Sequence, residues 1–273
     1  MNKPKKEHVK SVKTFLSGRQ IHDQWRAHFR NSENERFYEL VFDRLAEILP
    51  KGKDAVILDA GCGSCAHTVR LARRGFSVCA VDFSDAALKM ARKHLWDLDA
   101  GRRIKLCQED LLSMSFEDGR FDSALCWGVL MHIPEVEKAI AELSRVVKKG
   151  GLIIISEGNM HSLQSLALGW LKKLAKKERC EISRRKSGME HWSSGEKGQM
   201  LTRHADCAWL VSEFKRNGCA LESRCAGQFT ELYNRFESRP VRRLIHGFNN
   251  VWFRRIKAPG PAFGNLFVFR KEQ

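Results

Sequence analysis

Between Ile57 and Ser84 the chain reads ILDAGCGSCAHTVRLARRGFSVCAVDFS, and the residues in it that could do chemistry are Asp59, Gly61, Cys62, Gly63 and Asp82. Two glycines one residue apart, between an apolar run and a helical pattern, let backbone approach a ligand where a Cβ would intrude. Asp82 follows about twenty residues on, a spacing at which an acid takes the ribose hydroxyls of a bound nucleotide. The run G-C-G-S-C-A also fits a loose dinucleotide fingerprint, so the turn alone suits a nicotinamide dinucleotide as well as a methyl-donor nucleoside. Asp59 separates the two. A carboxylate two residues before the first glycine would repel a pyrophosphate but suits the ammonium end of an amino-acid-bearing cofactor, which favours S-adenosylmethionine.

Those residues need a scaffold, and the sequence supplies one. Residues 55–59, 76–82, 103–108, 121–127 and 151–157 are short apolar runs typical of strands buried on both faces, and helical patterns separate them. That alternation predicts right-handed crossovers and a parallel sheet in an α/β fold. Pro134 suits the first turn of the fourth helix, Val136, Ile140, Leu143 and Val147 line one face of it, and Gly150 can end it in a left-handed conformation. The first twenty residues are lysine-rich and read as frayed, and two helices are expected between residues 21 and 49. After Glu157 an amphipathic helix marked by Leu163, Leu166, Trp170, Leu171 and Leu174 runs into a basic stretch, Lys172 to Lys186. Further on come a helix near 205–217, a strand CALESRCA, a helical stripe of Val241, Leu244, Ile245, Phe248, Val251 and Trp252, and a last strand at 265–270.

The motifs together resemble the class I S-adenosylmethionine-dependent methyltransferases, of the small-molecule kind. The resemblance rests on D-A-G-C-G-S-C from Asp59, VDFS, Glu109 and Asp110, FDSALCWGVLMHIP and LSRVVKKGGLIIISE, and covers residues 40–160. It implies a Rossmann-like, mostly parallel seven-stranded sheet whose last strand is antiparallel, with a helical cap from the amino terminus and an insertion after the fifth strand. The expected organisation is a cap (1–50), a cofactor-binding core (51–160), a basic helical insertion (161–203) and a carboxyl-terminal completion of the sheet (204–273). By the same resemblance Asp59, Gly61, Cys62 and Gly63 lie along the methionine portion of the cofactor, and Asp82 holds the ribose. Phe83 then packs on the adenine, Asp110 receives its amino group, Leu111 offers a backbone amide, and Cys126 and Trp127 adjoin the methyl group. Cys65 replaces a third glycine of the family pattern and is expected to crowd the methionine end.

His132, in LMHIP just past the fourth strand, is the candidate general base for a hydroxyl acceptor. Tyr38, Glu157, His161 and His191 are candidates for the acceptor pocket. Cys62 and Cys65 form C-x-x-C, but without a second such pair the spacing does not predict a metal site.

A net charge of +16 on 273 residues admits anionic partners: an anionic small acceptor, nucleic acid, or a membrane surface touched peripherally through the basic insertion. Nucleic acid is the less favoured, because CWGVLMHIP stands where base-amine methyltransferases carry N/D-P-P-Y/F. Nine scattered cysteines and a start without an apolar core predict a soluble, cytoplasmic protein with reduced thiols and no spanning segment. The expected reaction is methyl transfer to oxygen, with nitrogen second, of a small or lipid- or glycan-linked metabolite. An RNA methyltransferase and a non-catalytic cofactor-binding protein are the alternatives.

Overall fold

The computed structural model describes residues 5–29, 32–52, 54–96, 98–174, 181–195 and 198–272. Three helices, α1 (Lys5–Leu16), α2 (Arg19–Phe29) and α3 (Ser32–Ile48), precede the sheet. The apolar runs become β1 (Val56–Ala60), β2 (Ser77–Asp82), β3 (Ile104–Gln108), β4 (Phe121–Trp127) and β5 (Val147–Gly158). Between them lie α4 (Ala66–Arg73), α5 (Asp85–Leu95) and α6 (Val136–Val146). After β5 come α7 (Leu163–Leu174), β6 (Glu181–Arg185), β7 (Gly188–Gly195), β8 (Gly198–Ala205), α8 (Cys207–Arg216), β9 (Cys219–Ala226), α9 (Arg239–Val251) and β10 (Gly264–Lys271).

The main sheet has seven strands in the order β3-β2-β1-β4-β5-β10-β9. β1 to β5 run parallel, and β10 lies antiparallel between β5 and β9. Successive residues feed opposite faces, as the period of two requires. Leu58, Ala124, Cys126, Ile153 and Ile155 pack under α6 and α8, whereas Ile57, Leu125, Leu152 and Ile154 pack under α3. Burying a side chain such as Phe42 or Leu143 contributes about 1.5–3 kcal/mol, so both helical layers are held chiefly by apolar area. Strand order reverses between β1 and β4, and the crevice at that reversal, beyond the carboxyl ends of the strands, is where an α/β sheet offers a ligand site.

Two expectations change. The lysine-rich amino terminus is not frayed over residues 5–16: Val12 and Leu16 of α1 are buried, and Ser11 Oγ accepts a bond of 3.0 Å from the Gln199 amide of β8. The insertion is helical only in its first part. β6, β7 and β8 form a separate antiparallel sheet, with residues 175–180 of the basic run outside the described residues. Leu201, Arg203 and Ala205 of β8 point inward in strict alternation. The middle position is charged, which conceals the strand pattern in the sequence. Among the described residues no helix is long and apolar enough to cross a membrane.

Candidate active site

A cavity of about 490 Å³ opens at the strand-order reversal. Its inner wall is backbone. Gly63 (φ +53°) and Gly128 (φ +64°) both line it, and a Cβ on either would meet nothing within 4 Å, so at these two places the main chain faces open space. Gly61 (φ +79°) is confined instead, since a Cβ there would come within 2.6 Å of the Val129 side chain. Both demands exclude larger residues, one by conformation and one also by space. Cys65 (φ 62°) takes the left-handed conformation without being glycine, at roughly 1–2 kcal/mol. Its side chain turns away into a cluster with Ala80, Leu88 and Ala91, so it does not crowd the cavity.

Asp82 stands at the end of β2 on the cavity wall. Its Oδ2 accepts from the Gly63 amide at 3.0 Å and its Oδ1 from the Ser84 amide at 2.9 Å. Two of about four lone-pair directions remain for a ligand. Burial pushes this carboxyl above its ordinary range, opposed by those two bonds. Phe83, Asp110 and Leu111 continue the same wall. Asp110 is already engaged, by the Leu112 amide at 3.1 Å and by an ion pair with Lys13 of α1. Val9, Val12 and Leu16 of α1 and His22 and Trp25 of α2 also line the cavity.

The opposite end is built from appended elements. His132 sits in a single turn after β4, where its Nδ1 bonds the Leu201 carbonyl at 2.6 Å and its ring stacks on Trp25 with centroids 5.1 Å apart. That bond assigns the proton to Nδ1 and leaves Nε2 as acceptor. Burial holds the imidazole below its ordinary pKa, so it is neutral near pH 7. Arg203 fixes the turn from β8. Its Nη1 donates to the Leu130 and Ile133 carbonyls at 3.1 and 2.9 Å, while Nη2 donates to Glu190 Oε1 at 2.8 Å. Glu157, at the end of β5, accepts from the Met131 amide at 3.3 Å, and burial raises its pKa to about 8. Tyr38 of α3 is buried against Trp127, with ring centroids 5.9 Å apart.

Four candidates fall outside this wall. Asp59 is 3% exposed behind the glycine turn, where its Oδ2 accepts from the Thr68 hydroxyl and burial raises its pKa to about 6, so it does not face the cavity. Cys126 alternates away from Trp127 into the core beneath α6. His161 lies at the surface, 3.6 Å from Asp206. His191 is on β7, one strand further out than Thr202 and His204 of β8, which do line the cavity. Sequence reasoning missed Glu231, which lines the cavity with its pKa raised to about 7 by burial alone. No motif or periodicity marks it. His22, Trp25 and Arg203 were missed too, the last because an inward arginine on a short strand reads as surface. Among the described residues no group of three or more His, Cys, Asp or Glu is placed to hold a metal ion.

A seven-stranded sheet of this order, a glycine turn open to a cavity after β1 and an acid after β2 define the Rossmann-like fold of class I S-adenosylmethionine-dependent methyltransferases. Residues 58–155 match the family model of the methyltransferase domain, and this part of the chain is a methyltransferase domain of that class. Ubiquinone biosynthesis O-methyltransferases from Alkalilimnicola ehrlichii and Nitrosomonas europaea are 34% and 32% identical to it over 120 and 133 residues, 44% and 47% of this chain. The chain spans about half the length of these curated relatives, 48% and 56%. Magnesium protoporphyrin IX methyltransferase from Synechocystis PCC 6803, solved with bound SAH, shares the fold with a TM-score of 0.61 at 16% identity, over 96% of this chain and 99% of that one. The CcbJ methyltransferase from Streptomyces caelestis does so with a TM-score of 0.60 at 15% identity, over 88% and 96%.

Proposed function

We propose that this protein transfers a methyl group from S-adenosylmethionine to an oxygen of a small acceptor, with nitrogen as the second choice of atom. The observation that carries the reading is one cavity with main chain on one side and buried titratable groups, His132, Glu157 and Glu231, on the other. The open backbone at Gly63 and Gly128 is the cradle a Cβ would fill, and it fits a nucleoside carrying an amino acid. The bound sulfonium supplies an activated methyl group. The chain's own residues have the remaining tasks of holding, orienting, excluding water and moving one proton.

In this reading Asp82 holds the ribose hydroxyls with the lone pairs that Gly63 and Ser84 leave free. Phe83 and Leu111 give the adenine an apolar wall. α1, α2 and the β6–β8 sheet keep water out. His132 receives the acceptor's proton at Nε2, and the Leu201 carbonyl holds the opposite nitrogen protonated as charge arrives on the ring. Glu157, with its pKa near 8, is protonated at neutral pH and donates a hydrogen bond that orients the acceptor. At the acceptor end Arg70 is already paired with Glu35 and Glu39, and Glu157 is protonated at neutral pH. A neutral acceptor therefore suits it better than an anionic one. The names of the curated relatives favour oxygen as the acceptor atom.

The test is transfer of labelled methyl from S-adenosylmethionine into a fractionated cell extract. Label in a small hydroxylated metabolite is the expected result. Label in RNA, or cofactor binding by calorimetry with no label transferred, would replace the reading with an RNA methyltransferase or a cofactor-binding protein.

A further inference from the structure

The helical stripe read from the sequence at Val241, Leu244, Phe248 and Val251 does not face the core. These side chains are 36%, 76%, 44% and 51% exposed on one side of α9. The side of α9 that packs inward is polar. Asn249 exchanges hydrogen bonds with the Thr230 main chain at 3.1 and 2.9 Å, and His246 lies against Tyr233 with ring centroids 4.2 Å apart. A helix with its apolar side outward and its polar side packed against the protein has been left a partner to bury.

The charge around the stripe says what kind. From Arg239 to Lys257 the chain carries Arg239, Arg242, Arg243, Arg254, Arg255 and Lys257, and no acid occurs between Glu237 and Glu272. All of these cations but Arg242 are exposed. A second copy meeting this face in a two-fold dimer would set cation against cation. An anionic bilayer instead meets both features at once, taking the apolar side chains at its headgroup boundary and the arginines on its phosphates. The face is also tied to the cavity. Thr230 is held by α9, Gln164 of α7 accepts from the Thr230 hydroxyl and from the Glu231 amide, and Glu231 lines the cavity.

We propose that α9 lies on an anionic lipid surface, docking the protein through Val241, Leu244, Phe248 and Val251 with flanking arginines, beside the acceptor end of the cavity. Docking through α9 differs from the expectation drawn from composition, which admitted a membrane contact only through the basic run 172–186. It stands whether or not methyl transfer occurs.

The full chain is sedimented with vesicles of mixed phosphatidylcholine and phosphatidylglycerol and with vesicles of phosphatidylcholine alone. Binding to the mixed vesicles, weakened by salt, is expected, with little binding to the neutral ones. The double variant Leu244→Glu, Phe248→Glu should bind at least roughly tenfold more weakly, and Arg254→Gln, Arg255→Gln roughly thirtyfold more weakly. All four positions are exposed, and an unchanged thermal melt verifies folding; should the first pair unfold, the arginine pair carries the test. Equal binding to both kinds of vesicle, or binding untouched by both double variants, overturns the proposal. So does a concentration-dependent dimer that Leu244→Glu dissolves, which gives the face to a second copy. RNA binding that needs the arginines but not Leu244, with no vesicle binding, overturns it in favour of nucleic acid.

Discussion

The two ends of the cavity are made in different ways. The end proposed for the cofactor is main chain at the carboxyl ends of β1, β2 and β4, with Gly63, Gly128 and Asp82 set by strand register and fixed turns. The end proposed for the acceptor is side chains delivered by α3, the turn after β4, β8 and the segment before α9, converging from points far apart in sequence. Rigid backbone at one end accepts a single shape of ligand. Assembled side chains at the other can be exchanged piece by piece, which is how one fold serves many acceptors.

On that division, a substitution at the acceptor end should change the rate and leave cofactor binding alone. His132→Gln keeps a side chain of similar reach without a basic nitrogen. It should lower kcat about 100- to 10,000-fold for a hydroxyl acceptor, with the Kd for S-adenosylmethionine unchanged by calorimetry. A matching loss of cofactor affinity would show that the turn serves both ends. Asp82→Ala is the converse. Removing charge-assisted bonds to two hydroxyls should weaken S-adenosylmethionine binding roughly 100-fold. Tight binding by that variant would remove Asp82 from the cofactor end.

The same division explains what could be read in advance. β1, β2 and β4 were legible because strands buried on both faces leave unbroken apolar runs, and Gly61 and Gly63 because few other residues survive there. Asp59 and Asp82 look alike in sequence, both acids closing apolar runs. What separates them is three-dimensional packing: Asp59 accepts from the Thr68 hydroxyl behind the turn, whereas Asp82 lines the cavity. Periodicity identified α9 as a helix but carries no sign, so it could not tell an inward stripe from an outward one. β6 to β8 were hidden because Arg184 and Arg185 extend the basic run and the inward Arg203 interrupts the apolar alternation of β8, and Glu231 because an isolated acid in a loop has no pattern around it.

A pH profile sharpens the comparison with smaller effects. Burial lowers the pKa of His132 and raises that of Glu157 to about 8, so kcat/KM should rise as His132 loses its proton below about pH 6.5 and fall as Glu157 loses its own near pH 8. Glu157→Gln keeps the hydrogen-bond donor and should abolish the alkaline fall, at a cost of about tenfold or less in rate. The stability sign follows from the same shift. A carboxyl whose folded pKa exceeds its unfolded value binds more protons when native, so its contribution is full below about pH 4.5 and is lost as pH rises towards 8. The melting temperature of the cofactor-free protein should therefore fall less steeply over that window in Glu157→Gln than in the wild type. An alkaline limb that survives the substitution would take the proton from Glu157 and give it to another group of the acceptor end.

The smallest effect tests whether the amino-terminal helix belongs to the cofactor end at all. Lys13 reaches Asp110 across the mouth of the cavity, and both side chains are about a third exposed, 35% and 37%. Solvent at that exposure limits such a pair to about 0–1 kcal/mol. Lys13→Ala should therefore weaken S-adenosylmethionine binding by no more than roughly fivefold, through a faster off-rate as α1 lifts more often, while binding still depends on Asp82. An equal loss in Lys13→Ala and Asp110→Asn, with none beyond it in the double variant, is the signature of one shared contact. A gain in affinity on removing Lys13 would mean instead that the lysine competes with the adenine for Asp110, and α1 would then be an obstacle to the ligand rather than its cover.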